Sequence, residues 1–197
     1  MAQSKDDCVF NINRLSGNTY IHPILFAERS CESGKLASLK AQVQAYIDEE
    51  KNNGIITSAS VYIENFDDDA WTAVNADEKY NPGSLLKVVT LMTWLKNAES
   101  SQHLLDKELP FPANTFFLKQ TFNSKTIEAG HSYKIKDLLH YMIAYSDNKA
   151  TAVLNNNMNV DIFKRIFAQL GLIVPDLHDM NFQISAPDYS RFMKTLY

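Results

Sequence analysis

Tyr80-Asn81-Pro82-Gly83-Ser84-Leu85-Leu86-Lys87-Val88-Val89-Thr90-Leu91-Met92-Thr93-Trp94-Leu95-Lys96-Asn97-Ala98 is the stretch around which the rest of the chain arranges itself. After the turn signal Asn81-Pro82-Gly83, the apolar residues Leu85, Val88, Val89, Leu91, Met92 and Leu95 are spread too evenly for a one-sided stripe. The run from Ser84 to Ala98 therefore predicts a helix buried on most sides. At its start Ser84 and Lys87 stand three positions apart, a spacing that puts both on one helix face. A serine hydroxyl is a poor nucleophile until a base takes its proton, and a lysine in apolar surroundings has its ammonium form disfavoured by desolvation. A helix N-terminus adds free backbone N–H groups where an oxyanion would develop. The same residues also fit an N-cap serine with a snorkelling lysine, and taken alone they favour that blander reading.

A second polar cluster lies 62 residues downstream, Ser146-Asp147-Asn148, at a break between two apolar helical segments. Short polar side chains at a buried break turn inward and bond to the backbone or to each other. A plain turn has the same composition, so this triplet is also weak alone. The two clusters in this order, each at a helix edge and at this separation, are a much stronger signal.

Outward from these clusters the periodicity supplies the frame. Leu36, Leu39, Val43, Tyr46 and Ile47 recur at helical spacing up to Gly54. Ile55 to Ile63 and Ala70 to Val74 are β-branched and aromatic runs joined by Asn65-Phe66-Asp67-Asp68-Asp69, which predicts a hairpin. The acidic triplet is read as a solvated turn, with a calcium loop as the sharper alternative. Leu109 to Thr126 has no period and is read as loops or short helices. Ile135 to Tyr145 predicts a helix whose Ile135, Leu138, Leu139, Met142 and Ile143 face a core. Ala150, Val153 and Leu154 resume the pattern, and Asp161 to Leu170 with its Gly171 stop predicts another helix. Ser185-Ala186-Pro187-Asp188 opens a last helix running to Tyr197.

Tyr80 to Lys87 together with Ile135-Lys136-Asp137-Leu138-Leu139-His140-Tyr141-Met142-Ile143-Ala144-Tyr145-Ser146-Asp147-Asn148-Lys149-Ala150-Thr151 resembles the class A β-lactamases and the related penicillin-binding proteins and D-Ala-D-Ala peptidases. The resemblance runs from about Leu36 to the C-terminus. It implies an α+β, β-lactamase/transpeptidase-like fold, an antiparallel sheet with a helical lobe, with residues 1–36 an N-terminal arm or lead-in and residues 37–197 the serine hydrolase domain. By the resemblance, Ser84 attacks an amide carbonyl and becomes the acyl-enzyme, and Lys87 is base or proton relay. Ser146 passes a proton to the departing nitrogen, and Asn148 binds the substrate's side-chain amide while contacting Lys87. Asp147 holds the turn, and the Ser84 backbone N–H supplies half of an oxyanion hole. Tyr145, beside the second cluster, is a separate candidate for the pocket wall, with a core aromatic as the alternative reading.

Two departures stand beside the resemblance. The family's third motif, Lys-Thr/Ser-Gly on a strand, has no counterpart, since Lys194-Thr195-Leu196 lies in a helical pattern without glycine. The chain is accordingly read as partial, with the C-terminal strands of the sheet missing and the edge of the hairpin at 55–74 left open to association. The family's deacylating glutamate is also missing, because Ile173 to Gln183 holds only two acids, Asp176 and Asp179. A non-catalytic domain of the same fold that binds cell-wall peptides is the alternative function.

Composition sets the outer bounds. At 197 residues, 45% hydrophobic and 21% charged, the chain is long enough for one sizeable core. A net charge of −4 and a pI near 5.7, with no basic run, argue against a nucleic-acid partner. His22, His103, His131, His140 and His178 show no metal-ligand spacing, and neither a metal nor a cofactor is expected. His140 is read as a surface histidine. No apolar run reaches the roughly 20 residues of a membrane span. The polar start at Met1 has no signal-peptide core, so the protein is either cytosolic or a leader has been removed. The resemblance favours a periplasmic or extracellular protein acting on a small-molecule or peptide amide. Cys8 and Cys31 are either one disulfide of an exported protein or two free thiols.

Overall fold

The structure is a computed structural model and describes residues 10–14, 25–29, 31–120, 122, 125–176 and 181–196. In chain order it contains β1 (Phe10–Arg14), β2 (Leu25–Arg29), α1 (Ala37–Asn52), β3 (Val61–Asn65), β4 (Ala70–Val74), β5 (Lys79–Tyr80), α2 (Lys87–Ala98), β6 (Glu108–Pro110), β7 (Ser132–Lys134), α3 (Ile135–Ala144), α4 (Asn148–Asn157), α5 (Val160–Gln169), β8 (Ile184–Ser185) and α6 (Ala186–Leu196). The strands pair antiparallel as β1–β2, β3–β4, β5–β8 and β6–β7. Helices with small antiparallel sheets make the α+β class expected from the sequence.

The elements form two compact units. Of the described residues, one unites 10–14, 25–29 and 31–81 with 183–195, and the other holds those within 82–182 together with 196. In the first, the β3–β4 hairpin pairs Val61 with Val74 and Asn65 with Ala70. Its turn is closed by its own polar side chains: Asn65 Oδ1 accepts from the Asp67 N–H and Asp68 Oδ1 from the Ala70 N–H. Asp68 also pairs with Lys35. The acidic triplet thus has a structural explanation in hydrogen bonds and ion pairing. Lys194 of α6 is buried and bonds Glu64 of β3, with Asp69 3.8 Å away. This last Lys-Thr pair is therefore helical and engaged in an ion pair.

One sequence expectation needs correction here, the start of the first hairpin strand, and two others gain detail. Ile55 to Ser60 is not strand, because the Ile55 N–H is taken by the Glu50 carbonyl at 3.0 Å in the cap of α1, and pairing starts only at Val61. On α1 only Ile47 is buried, while Tyr46 is 64% exposed, so the helical period there marks a weak stripe. Cys31 is disulfide-bonded, which removes the free-thiol alternative for that residue; Cys8 lies outside the described residues.

The second unit is helical. Val89, Met92 and Trp94 of α2 are almost wholly buried, and α2 packs against α3, α4 and α5. Its core joins Trp94 to Phe111, Ile127, Ile135, Leu138, Met142, Val153 and Leu154. β6 and β7 pin the segment before α3, and the Ile135 N–H donates to the Lys107 carbonyl. Here too the pattern misassigned side chains, since Leu85 is 52% and Ile143 45% exposed. Both sit at a helix end, where a turn's spacing no longer fixes which face is inward.

Candidate active site

Four side chains from two places in the second unit converge. Gly83, at φ +50°, bends the chain into a single 3₁₀ turn over residues 83–86, which presents Ser84 on the surface immediately before α2 begins at Lys87. A residue with a Cβ is strained in that left-handed conformation although open space surrounds it. The expected helix thus starts three residues later than Ser84, and the hydroxyl stands on a tighter turn than an α-helix gives.

The partner is the Tyr145–Asn148 turn between α3 and α4. Ser146 has φ +52°, a left-handed value uncommon outside glycine, and such strain persists only where surrounding bonds hold it. Asp147 supplies those bonds. It is fully buried and caps α4 by accepting from the Lys149 N–H at 2.9 Å, from the Ile127 N–H at 2.9 Å and from Thr126 Oγ1 at 3.1 Å. A carboxylate so satisfied is structural.

The two places are joined by a short network. Ser84 Oγ lies 3.2 Å from Ser146 Oγ, and Ser146 Oγ lies 2.9 Å from Lys87 Nζ. Lys87 Nζ also donates to the Ser146 carbonyl at 2.6 Å and to Asn148 Oδ1 at 2.8 Å. The hydrogen-bonded route from the serine to the lysine therefore runs through Ser146. Lys87 is only 7% exposed, and burial lowers the pKa of its ammonium, with the charge of Asp147 opposing in part.

Three acceptors match the three N–H bonds of an ammonium. Two of them, the Ser146 carbonyl and Asn148 Oδ1, can only accept. When Lys87 is neutral these retain its two N–H bonds, and its lone pair is left facing the one group that can donate, the Ser146 hydroxyl. The arrangement can thus carry a proton from Ser84 through Ser146 to Lys87. Asn148 Nδ2 gives one N–H to the Leu118 carbonyl at 3.1 Å, which fixes the amide's orientation and leaves its second N–H for a ligand.

Tyr145 is half-buried, with its ring against His140 and Tyr141 and Lys125 Nζ 5.4 Å from its centroid. His140 itself is exposed, as the sequence suggested. Asp176 is exposed, whereas Asp179, His22 and His178 lie outside the described residues. The sequence reading missed Leu118, Gln120 and Thr126, which hold the 145–148 turn from a segment without periodicity. Only a partner search for the buried Asp147 could have pointed there.

The beta-lactamase enzyme family model matches residues 38–197. No curated protein matches. Among solved structures, PBP-A is 20% identical with a TM-score of 0.59, aligned over 80% of this chain and 60% of its own. A beta-lactamase from Francisella tularensis is 16% identical with a TM-score of 0.61, aligned over 77% and 61%. A beta-lactamase from Sphaerobacter thermophilus is also 16% identical, at 0.59, over 77% and 60%. At these identities the likeness is one of fold, and the chain spans about three-fifths of the length of each of these structures.

Proposed function

The chain belongs to the beta-lactamase enzyme family, and from that premise we propose that it is a serine hydrolase that forms an acyl-enzyme at Ser84 on a β-lactam or D-Ala-D-Ala-type amide. The observation that carries the reading is the path Ser84 Oγ to Ser146 Oγ to Lys87 Nζ at 3.2 and 2.9 Å. In the proposed reaction Ser84 Oγ attacks the carbonyl carbon while its proton passes to Ser146, whose own proton passes to neutral Lys87. The C–N bond then breaks, Ser146 protonates the leaving nitrogen, and Lys87 returns a proton to Ser146. The Ser84 N–H donates to the developing oxyanion, Asn148 Nδ2 binds the amide beside the scissile bond, and Tyr145 forms part of the wall.

Domain, compartment and partners follow the same reading. Residues 37–197 form the hydrolase domain with 1–36 as its lead-in, and the disulfide at Cys31 supports a periplasmic or extracellular site of action. No helix among the described residues is long and apolar enough to cross a membrane. The substrate is a small molecule or peptide, nucleic acid is not a partner, and the outer edge of β3 is a point of self-association.

Covalent labelling tests the function. A fluorescent penicillin should give a label that survives denaturation and is competed by a D-Ala-D-Ala peptide. A signal present only under native conditions would instead favour the non-catalytic, peptide-binding alternative.

A further inference from the structure

Within that reading, we propose that Gln120 is a positioning residue that sets the conformation of the Tyr145–Asn148 turn and with it the aim of Ser146 and Asn148. Its side-chain amide faces the turn with both functions used: Nε2 donates to the Tyr145 carbonyl at 3.3 Å, and Oε1 accepts from the Asn148 N–H at 3.4 Å. The two bonded backbone groups flank Ser146 and Asp147 on either side. Gln120 thus spans the ends of the segment that contains the strained Ser146. A primary amide is suited to this because it offers a donor and an acceptor in one plane, as a peptide group does.

The rest of the loop reinforces the placement. Two residues earlier, the Leu118 carbonyl accepts from Asn148 Nδ2, and Phe117 packs edge-on against the buried Phe111 at 6.3 Å. Beyond it, Thr126 and Ile127 bind Asp147. Asp147 fixes the middle of the turn, whereas Gln120 fixes its two ends. A left-handed non-glycine residue relaxes when its flanks are released, and a shift of about 1 Å in a catalytic hydroxyl is enough to cost on the order of 100-fold in rate.

Three forms of the chain separate this role from packing: wild type, Gln120→Met and Gln120→Glu. Methionine keeps the length and loses both bonds, while glutamate keeps the acceptor for the Asn148 N–H and loses the donor to Tyr145. Hydrogen exchange of the Asn148 amide should accelerate in Gln120→Met and stay near wild type in Gln120→Glu. Acylation by a reporter penicillin should fall about tenfold or more in Gln120→Met. Unchanged exchange at Asn148 in Gln120→Met would overturn the clamp. Faster exchange with an unaltered acylation rate would overturn its positioning role. If the wild type itself is not acylated, the acyl-enzyme reading fails separately, and the exchange pattern alone supports or overturns the clamp.

Discussion

Lys87 has three acceptors, and the one that can also donate is the hydroxyl next to Ser84. In the proposed reaction the neutral amine is the base, so acylation should rise with pH through a midpoint below lysine's ordinary 10.5, the shift coming from burial. Between the folded and unfolded pKa values the folded state binds fewer protons, so stability also increases with pH across that window. A stopped-flow pH profile that stays flat up to the unperturbed lysine range would contradict the assignment. Asn148→Ala removes an acceptor that orients the Lys87 amine and the proposed donor to substrate, and leaving a buried polar group without its partner costs about 1–3 kcal/mol. Acylation should drop about 10- to 100-fold, measured as the second-order rate. That Ser84, Lys87, Ser146 and Asn148 belong together was expected from the spacing of two polar clusters at helix edges and from the family resemblance, and the structure brings the four side chains into one hydrogen-bonded network. Gln120 was not legible in the sequence, since a single amide in a loop without periodicity carries no signal until its partners are seen.

The turn before α4 shows how an element carries the site. Asp147 is its N-cap and also ties residues 126 and 127, so Asp147→Ala leaves two backbone donors without their acceptor. The expected loss is about 2–4 kcal/mol, summing the lost cap and an unsatisfied buried donor, read as the denaturation midpoint. Acylation should fall in the same variant because Ser146 loses its support. A variant as stable as wild type would contradict this use of Asp147. The helices from α2 to α6 followed from apolar spacing together with glycine and proline signals. The β3 boundary did not, since Ile55 and Ile56 look β-forming yet the cap of α1 takes up their N–H groups. Propensity gave way there to a hydrogen bond formed by the neighbouring helix.

At the scale of the whole molecule, two features shape the expected behaviour. The segment Ile173 to Gln183 contains no glutamate, so the acyl group should leave slowly. A penicillin adduct persisting for many minutes after excess reagent is removed is the predicted outcome, and rapid recovery of free protein would show that another group activates water. Among the described residues β3 pairs with β4 alone. Its outer edge can template a further strand, so sedimentation should reveal association that grows with concentration and weakens in Ile63→Lys. The family assignment rests on residues 38–197 as a unit, whereas the catalytic reading rests on four side chains within 82–182.

The most direct test is peptide mass mapping after incubation with a reporter penicillin, on the wild type and on Ser84→Ala. The proposed chemistry predicts one adduct, on the peptide containing Ser84, that disappears in Ser84→Ala. An adduct on any other residue, or none in the wild type, would contradict the assignment of Ser84 as the nucleophile.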